Sequence, residues 1–541
     1  MSPTVVIRGR MFRRTSPQRS LLGAEHRISR EKRARLEKTW AHQYRLHALP
    51  LIDESKFSGF FDEGNGRPNK SIRLVVSVLL LKERFDLTDL EALEELEWNT
   101  AWHYALDVDP EDAHMCDKTL HNFRVKVLGN DAGEALFKDM TAGIIAAARL
   151  GTSRQRLDST HIVSNIKLLT RLGLFVATIS GFLEALRKTH PRLCNQVPEA
   201  VRERYLDREG YFGDVKSSEA PRRLSQSALD THALVTQWRE HGTVSAMPEY
   251  GLLVRLYQDQ CVPPEVASPE RIELQKAPPS SSLQSPSDPD VTYGHKGKGY
   301  EVQLAETCMP DNPFQVVTAV LVNGANESDQ TQAIKVIEET AKTCGQTPEI
   351  AHADCGYGSG DNILEARERG TELLAPIGAK ASAKYLPITR FTIDTTVERI
   401  TACPAGRAPD KHTPAKTGLK VIAWFPMSVC GSCPLVGQCP TEKRRDYRVL
   451  AFGDTDVATA LRRIEQETPE WKELHKIRSG IEATNSELKG CHGLGKLRVR
   501  GLARVKLSAR LKVLALNLKR YVAHRVREAL AAASPMETCA C

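Results

Sequence analysis

Apolar residues recur at three- and four-residue spacing over 71–83, which predicts an amphipathic helix. Thr88 followed by Glu91 is a capping-box signature and opens a second helix over 90–98. Asp117 or Thr119 can cap a third helix that runs through Phe123 and Val127. Residues 68–130 therefore read as three short helices, either a DNA-binding module or an ordinary helical domain. Trp98 and Trp102, four apart, read as core residues of one helix. The period changes at 156–163 (RLDSTHIV), a short β-prone stretch, and returns to a helical, highly charged pattern over 166–275. Residues 276–291 (KAPPSSSLQSPSDPDV) are rich in Pro and Ser and read as a loop or linker. Two strand-like runs follow, 299–307 with Tyr300, Val302 and Leu304 on one face, and 316–322, which is β-branched. A helix over 329–343, a strand over 348–354, a short helix from Asn362 and a strand near 373–377 complete a βββαβαβ-like order. Mixed strands with intervening helices predict one central α/β sheet. Loops, Pro and Cys dominate 378–455, then a single long helix is expected over 455–488 and a last one over 503–532.

Composition narrows the class. Of 541 residues, 41% are hydrophobic and 26% charged, so the chain can bury a core and is not mainly disordered. The longest mostly apolar run, 74–81, is too short for a bilayer, and the basic N-terminus has no apolar segment behind it. The expected location is therefore intracellular, with no membrane partner. The net charge of +8 hides an asymmetry: Lys and Arg dominate residues 1–50 and 472–527, and the middle is acidic. Two basic ends suggest a polyanion, most simply nucleic acid, although a solvated basic tail explains 8–45 equally well. At the C-terminal end Lys489, Lys496, Arg498, Arg500, Arg504, Lys506 and Arg510 crowd around glycines that let a backbone approach phosphate.

Three acids stand out by context. Asp158 lies within a β-prone stretch, where a buried carboxylate needs a cation, a metal or hydrogen bonds. Asp354 ends a strand and is followed by Cys355-Gly356-Tyr357-Gly358, the kind of strand end where α/β sheets place sites. Glu482 lies on the long helix, with Arg478 and Lys489 on its face, just before the basic segment. Two strand acids and one helix acid can bind two divalent metals and support phosphoryl transfer; a turn or cap acid and a surface ion pair are the plainer alternatives. His161 and His352, close to the acids, read as core or strand histidines. Residues 294–300 are glycine-rich but lack the Gly-Lys-Ser/Thr ending of a phosphate loop, and Lys296 and Lys298 either contact DNA or bound a strand.

Thirteen cysteines, an odd number, fit free thiols or metal ligands in a reducing compartment. Cys403, Cys430, Cys433 and Cys439 are a candidate structural zinc site, the alternative being four free thiols. Cys355 reads as a small packing residue, because Mg2+ prefers oxygen, and Cys539 and Cys541 as part of a frayed end.

At LDSTHI around Asp158, HADCGYGS around Asp354 and RSGIEATNSELKGCHGLGKLRVRG around Glu482, the sequence resembles the bacterial insertion-sequence transposases of the DDE type. The last segment also resembles the tyrosine–arginine–glutamate–lysine signature of one group of that family, as His475-x2-Arg478-x3-Glu482-x6-Lys489, with His475 at the tyrosine position. The resemblance runs from about residue 60 to 521 and implies a fold of the α/β class: a ribonuclease-H-like mixed sheet with a helical N-terminal domain, a helical insertion and a Cys-rich insertion. The implied organisation is a basic arm over 1–50, a helical DNA-binding or dimerisation domain over 51–150, and a catalytic domain over 151–535 with insertions at about 165–290 and 378–455. It implies that Asp158, Asp354 and Glu482 bind Mg2+ (or Mn2+), that water cuts a phosphodiester at the element end, and that the freed 3′-hydroxyl attacks target DNA. Arg478 and Lys489 would hold phosphates near the cleaved end, and Lys496, Arg498 and Arg500 would contact DNA. The partners would be terminal inverted repeats, target DNA and a second copy of the chain in a synaptic dimer, and the location cytoplasmic, on the bacterial nucleoid. A cysteine cluster with one structural Zn2+ is also expected. Rival readings are a metal-dependent nuclease of the same fold and an inactive transposase-derived DNA-binding protein.

Overall fold

A six-stranded sheet and the helices between its strands form the central layer of the computed structural model. It describes residues 10–14, 28–61, 67–206, 218–262, 272–378, 384–394, 396, 399–415 and 420–533. Strands β1 (Arg154–Ile162), β2 (Gly297–Thr307), β3 (Val317–Gly324), β4 (Ile350–His352) and β5 (Glu372–Leu374) lie in the order β3-β2-β1-β4-β5. The sixth strand, the short Thr292–Gly294, pairs with the start of β2. β2 runs antiparallel to both β1 and β3, whereas β4 runs parallel to β1 and β5 parallel to β4. The order expected from the sequence, three strands and then two helix–strand units, is the order found. This mixed α/β sheet, with helices on both faces and a helical N-terminal region, is a ribonuclease-H-like arrangement.

β2 sits between two neighbours and is buried on both faces. Its polar residues are therefore held by partners inside the protein. Glu306 is fully buried and receives Arg156, Arg520 and the Thr484 hydroxyl. β3 is covered by the last helix, Leu502–Ala533, whose Asn517 makes two 2.8 Å hydrogen bonds to the backbone of Val317. The same helix packs on Ile72–Arg84 and Ala132–Ala148 of the N-terminal region and shares one hydrophobic core with them. Ser71 caps Ile72–Arg84, and Thr88 with Glu91 forms the expected capping box on Asp89–Trp98. Within the stretch read as a basic arm, Arg30–Leu36 and Trp40–Gln43 are already helical, and Tyr44 and Ala48 are buried.

Several expectations need correction. The single helix over 455–488 is three: Asp454–Glu465, Pro469–His475 and Gly480–Cys491, with a 3-10 turn at Lys476–Ser479. Pro469 fits the first position of a helix but donates no N–H to continue one, and Thr468 caps the restart. Trp98 is 74% exposed and only Trp102, at 2%, is core, because the two lie on different helices, Asp89–Trp98 and Thr100–Leu106. Residues 276–291 are irregular, as the loop reading expects, and the loop is packed, anchored where Asp288 accepts hydrogen bonds from Ser164 at 2.6 Å and Tyr300 at 2.8 Å. The Cys-rich stretch is not mostly loop. It holds a four-stranded antiparallel sheet, Lys411–Pro414, Val421–Pro426, Tyr447–Phe452 and Glu442–Lys443, over a small core with Phe425, Leu450 and Phe452. Cys355 is exposed and not a packing residue, and Cys539 and Cys541 lie outside the described residues. Among the described residues, no helix is long and apolar enough to cross a membrane.

Candidate active site

Asp158 stands in the middle of β1, opposite Leu304 of β2, and Asp354 follows β4 by two residues. The parallel pairing of β1 with β4, Arg156 opposite His352, sets Asp354 level with Asp158 just past the C-terminal end of β4. The Asp158 side chain is 14% exposed. Burial pushes its pKa up to about 6; the Arg478 guanidinium opposes this and the charge of Asp354 adds to it. Asp158 Oδ2 accepts a hydrogen bond from Asn485 Nδ2 at 2.8 Å, and Oδ1 lies 3.7 Å from Arg478 Nη1. Asp354 Oδ1 accepts the Gly356 N–H at 2.8 Å.

A third acid, Asp329, was not singled out from the sequence. A Cβ on Gly356 would lie 3.0 Å from Asp354 Oδ1 and 3.2 Å from Asp329 Oδ2, so the two carboxylates flank that glycine. Asp329 also accepts hydrogen bonds from Ser159 at 2.9 Å and Gln303 at 2.8 Å. Nothing but its position after β3, legible only with the topology, points to it.

Glu482 lies in the first turn of Gly480–Cys491, the helix that crosses β1. Its side chain is 63% exposed and turned to Arg478, at 2.8 Å. Arg478 thus spans Asp158 and Glu482. The helix is held on the sheet by Thr484 and Arg520 around Glu306. Its start lies against Arg156: a Cβ at Gly480 would fall 1.8 Å from Arg156 Nη1, so no larger residue fits there without displacing that side chain. His475 contacts the backbone of Ala353, and His352 is fully buried with its pKa lowered to about 4, chiefly by burial.

The basic segment lies beside the same strand. Val163 donates to Gly495 O at 3.0 Å and Leu497 donates to Val163 O at 2.8 Å, so residues 495–497 run parallel alongside the chain just past β1. Lys489 and Lys496 are exposed. Arg498 is tied to Asp86 at 2.8 Å and Arg500 to the Asn165 carbonyl, both on an exposed surface. Lys298 donates to Leu169 O at 2.7 Å, and Lys296 lies 3.6 Å from Glu301.

The four cysteines gather at one edge of the small sheet. The Cys430 thiol is pushed up by burial first and then by its neighbours Cys403, Cys439 and Cys433. Cys403 opens a turn closed by Gly406, and Cys430 one closed by Cys433. Among the described residues, no group of three or more His, Cys, Asp or Glu side chains is closed around a metal-sized point.

The strand order is that of a ribonuclease-H-like α/β domain. Residues 402–522 match a family model described as a transposase DDE domain, and residues 40–126 match one described as a transposase domain. No curated protein and no solved structure gives a significant match. The two matches support an insertion-sequence transposase of the DDE type, a family that implies DNA binding. The DDE match contains His475, Arg478, Glu482, Lys489 and the four cysteines; Asp158 and Asp354 lie outside it.

Proposed function

We propose that this transposase cuts DNA at the ends of its insertion sequence and joins the freed 3′ ends to target DNA, with Asp158, Asp354 and Glu482 as the catalytic carboxylates. One observation carries the reading: a buried carboxylate on the central strand of a sheet of ribonuclease-H-like order, its pKa pushed to about 6, with Asp354 adding to the shift. Two neighbouring carboxylates in a desolvated mouth repel each other, and a hard divalent cation is the partner that their oxygens suit. Mg2+ or Mn2+ would be held by Asp158 and Asp354, and by Glu482 once it leaves Arg478. Bound there, the metal supplies activation of the attacking oxygen and charge stabilisation at the phosphorus. Arg478, freed from the acids, is placed to pair with a phosphate, and Lys489 and Lys496 add exposed positive charge along the path of β1. Arg498 and Arg500 keep their protein contacts and present their outer faces to DNA. The four cysteines bind one structural Zn2+, which soft thiolates suit. Terminal repeats and target DNA are the substrates, a dimer is the working unit, and the nucleoid is the place of action.

The test is cleavage and joining of DNA from the element's own ends with Mg2+, comparing wild type with Asp158→Asn, Asp354→Asn and Glu482→Gln. Joining that all three substitutions abolish supports the reading. Cutting without joining would make the protein a nuclease. Binding without cutting in any divalent metal would leave only a DNA-binding protein.

A further inference from the structure

Asn485 lies three residues after Glu482 on the same helix, on the face turned to the sheet with Ile481, Thr484 and Leu488. It is buried, 9% exposed. Its amide nitrogen donates to Asp158 Oδ2 at 2.8 Å. Its amide oxygen is also buried and has no hydrogen-bond partner. A buried amide oxygen without a donor is costly, and Leu, of nearly the same volume, would fill this helix face without that cost. A residue serving only to pack the helix on β1 has no use for the amide. Half of this amide is committed to a site carboxylate, and the other half is an acceptor waiting beside it.

We propose that Asn485 is a positioning residue of the active site. Its N–H fixes the orientation of the Asp158 carboxylate, and its oxygen receives a hydrogen bond from a water or a nucleotide hydroxyl brought into the site. The inference rests on the reading of Asp158 as a metal-binding carboxylate. The physical logic is that of any ligand carboxylate: the partner that holds its second oxygen determines which lone pair faces the cation. The arrangement also couples two elements. Asn485 ties the helix that carries Glu482 to the strand that carries Asp158, so the two acids are set relative to each other by one side chain as well as by the Glu306 cluster.

The experiment is a Mn2+ titration of the full-length protein without DNA, read by electron paramagnetic resonance, for wild type, Asp158→Asn, Asn485→Leu and Asn485→Ser. Melting temperatures are recorded for each. Loss of an outer partner of a metal ligand commonly weakens binding by about 10- to 100-fold, and a drop of roughly tenfold or more in Mn2+ affinity is expected for both Asn485 variants. The Mg2+ concentration that half-saturates DNA cleavage should rise in parallel, which a packing defect alone would not produce. If Asn485→Leu does not fold, Asn485→Ser, which keeps a polar group but cannot span to Asp158, carries the test. Folded variants that bind Mn2+ as tightly as wild type, in a protein whose binding is lost in Asp158→Asn, overturn this inference alone. Wild-type protein that binds no Mn2+, or binding indifferent to Asp158→Asn, overturns the metal-site reading, and this inference falls with it.

Discussion

His475 Nε2 lies 3.0 Å from the carbonyl oxygen of Ala353, the residue immediately before Asp354. The imidazole also stacks on Trp471, with ring centroids 4.5 Å apart and planes 12° apart. The ring therefore pins the turn that leads to Arg478 and Glu482 onto the end of β4. Position 475, where related signatures carry tyrosine, has in this chain a structural contact that accounts for a flat ring with a polar edge.

His475→Phe keeps the stack on Trp471 and removes the hydrogen bond to Ala353. The fold should survive with a loss of about 1 kcal/mol, the worth of one neutral hydrogen bond. Cleavage should fall more than stability does, because the bond fixes Asp354 relative to Arg478 and Glu482. Denaturant unfolding and single-turnover cleavage of the same preparation check this; equal losses in both would mean that position 475 has no influence on the site.

Asp158 makes a prediction about stability and pH. Its folded pKa of about 6 lies above the ordinary carboxylate value of 3.8, so between these values the folded state binds the proton that the unfolded state releases. Stability without metal should therefore fall as pH rises from about 4 to about 6, by up to roughly 3 kcal/mol from this group. Asp158→Asn removes the penalty, and its metal-free melting temperature at pH 7 should exceed that of wild type while its catalysis is lost. Melting curves of both proteins from pH 4 to 8 in a chelating buffer decide the matter. A variant that melts below wild type at pH 7 would show that Asp158 carries no such cost.

Glu306 tests the cluster that holds the Glu482 helix on the sheet. It is completely buried between Arg156 of β1 and Arg520 of the last helix and accepts from Thr484 at 2.6 Å. Glu306→Gln removes the charge and leaves two guanidinium groups against a neutral amide. Breaking a buried pair from one side costs about 3–5 kcal/mol. The expected result is an unfolding free energy, from urea titration, lowered by that amount. A shift under about 1 kcal/mol would mean that water reaches the cluster and screens it.

How much of this was legible beforehand depended on whether the signal was local. The strand carrying Asp158, the turn after Asp354 and the capping box at Thr88 are written in a few adjacent residues each, and the structure has them where the sequence puts them. The break at Pro469 was also written locally but was overridden by the charged helical pattern on both sides of it. The sheet around the cysteines was hidden because its strands are short and interrupted by Pro and Lys, so no alternation lasts long enough to register. Asn485, Glu306 and Asp329 matter through partners more than twenty residues away in the chain, and one helical or strand period cannot reveal such contacts.

The four cysteines carry the last prediction. They come from two turns, one beginning at Cys403 and one spanning Cys430 to Cys433, together with Cys439 at the edge of the small sheet. None forms a disulfide. The core beneath them, Phe391, Ile400, Ala423, Phe425, Leu450, Phe452 and Val457, is small for a unit of this length, and small units commonly depend on a metal or a cross-link. Protein purified without chelator should contain about one zinc per chain by elemental analysis, and the double substitution Cys430→Ser with Cys433→Ser should lose it. The same variant should be cut by protease within 378–455 while the ribonuclease-H-like sheet stays protected, because each element is held by its own core. Metal-free wild-type protein that resists protease in that segment as well as the untreated protein does would leave the cysteines as free thiols.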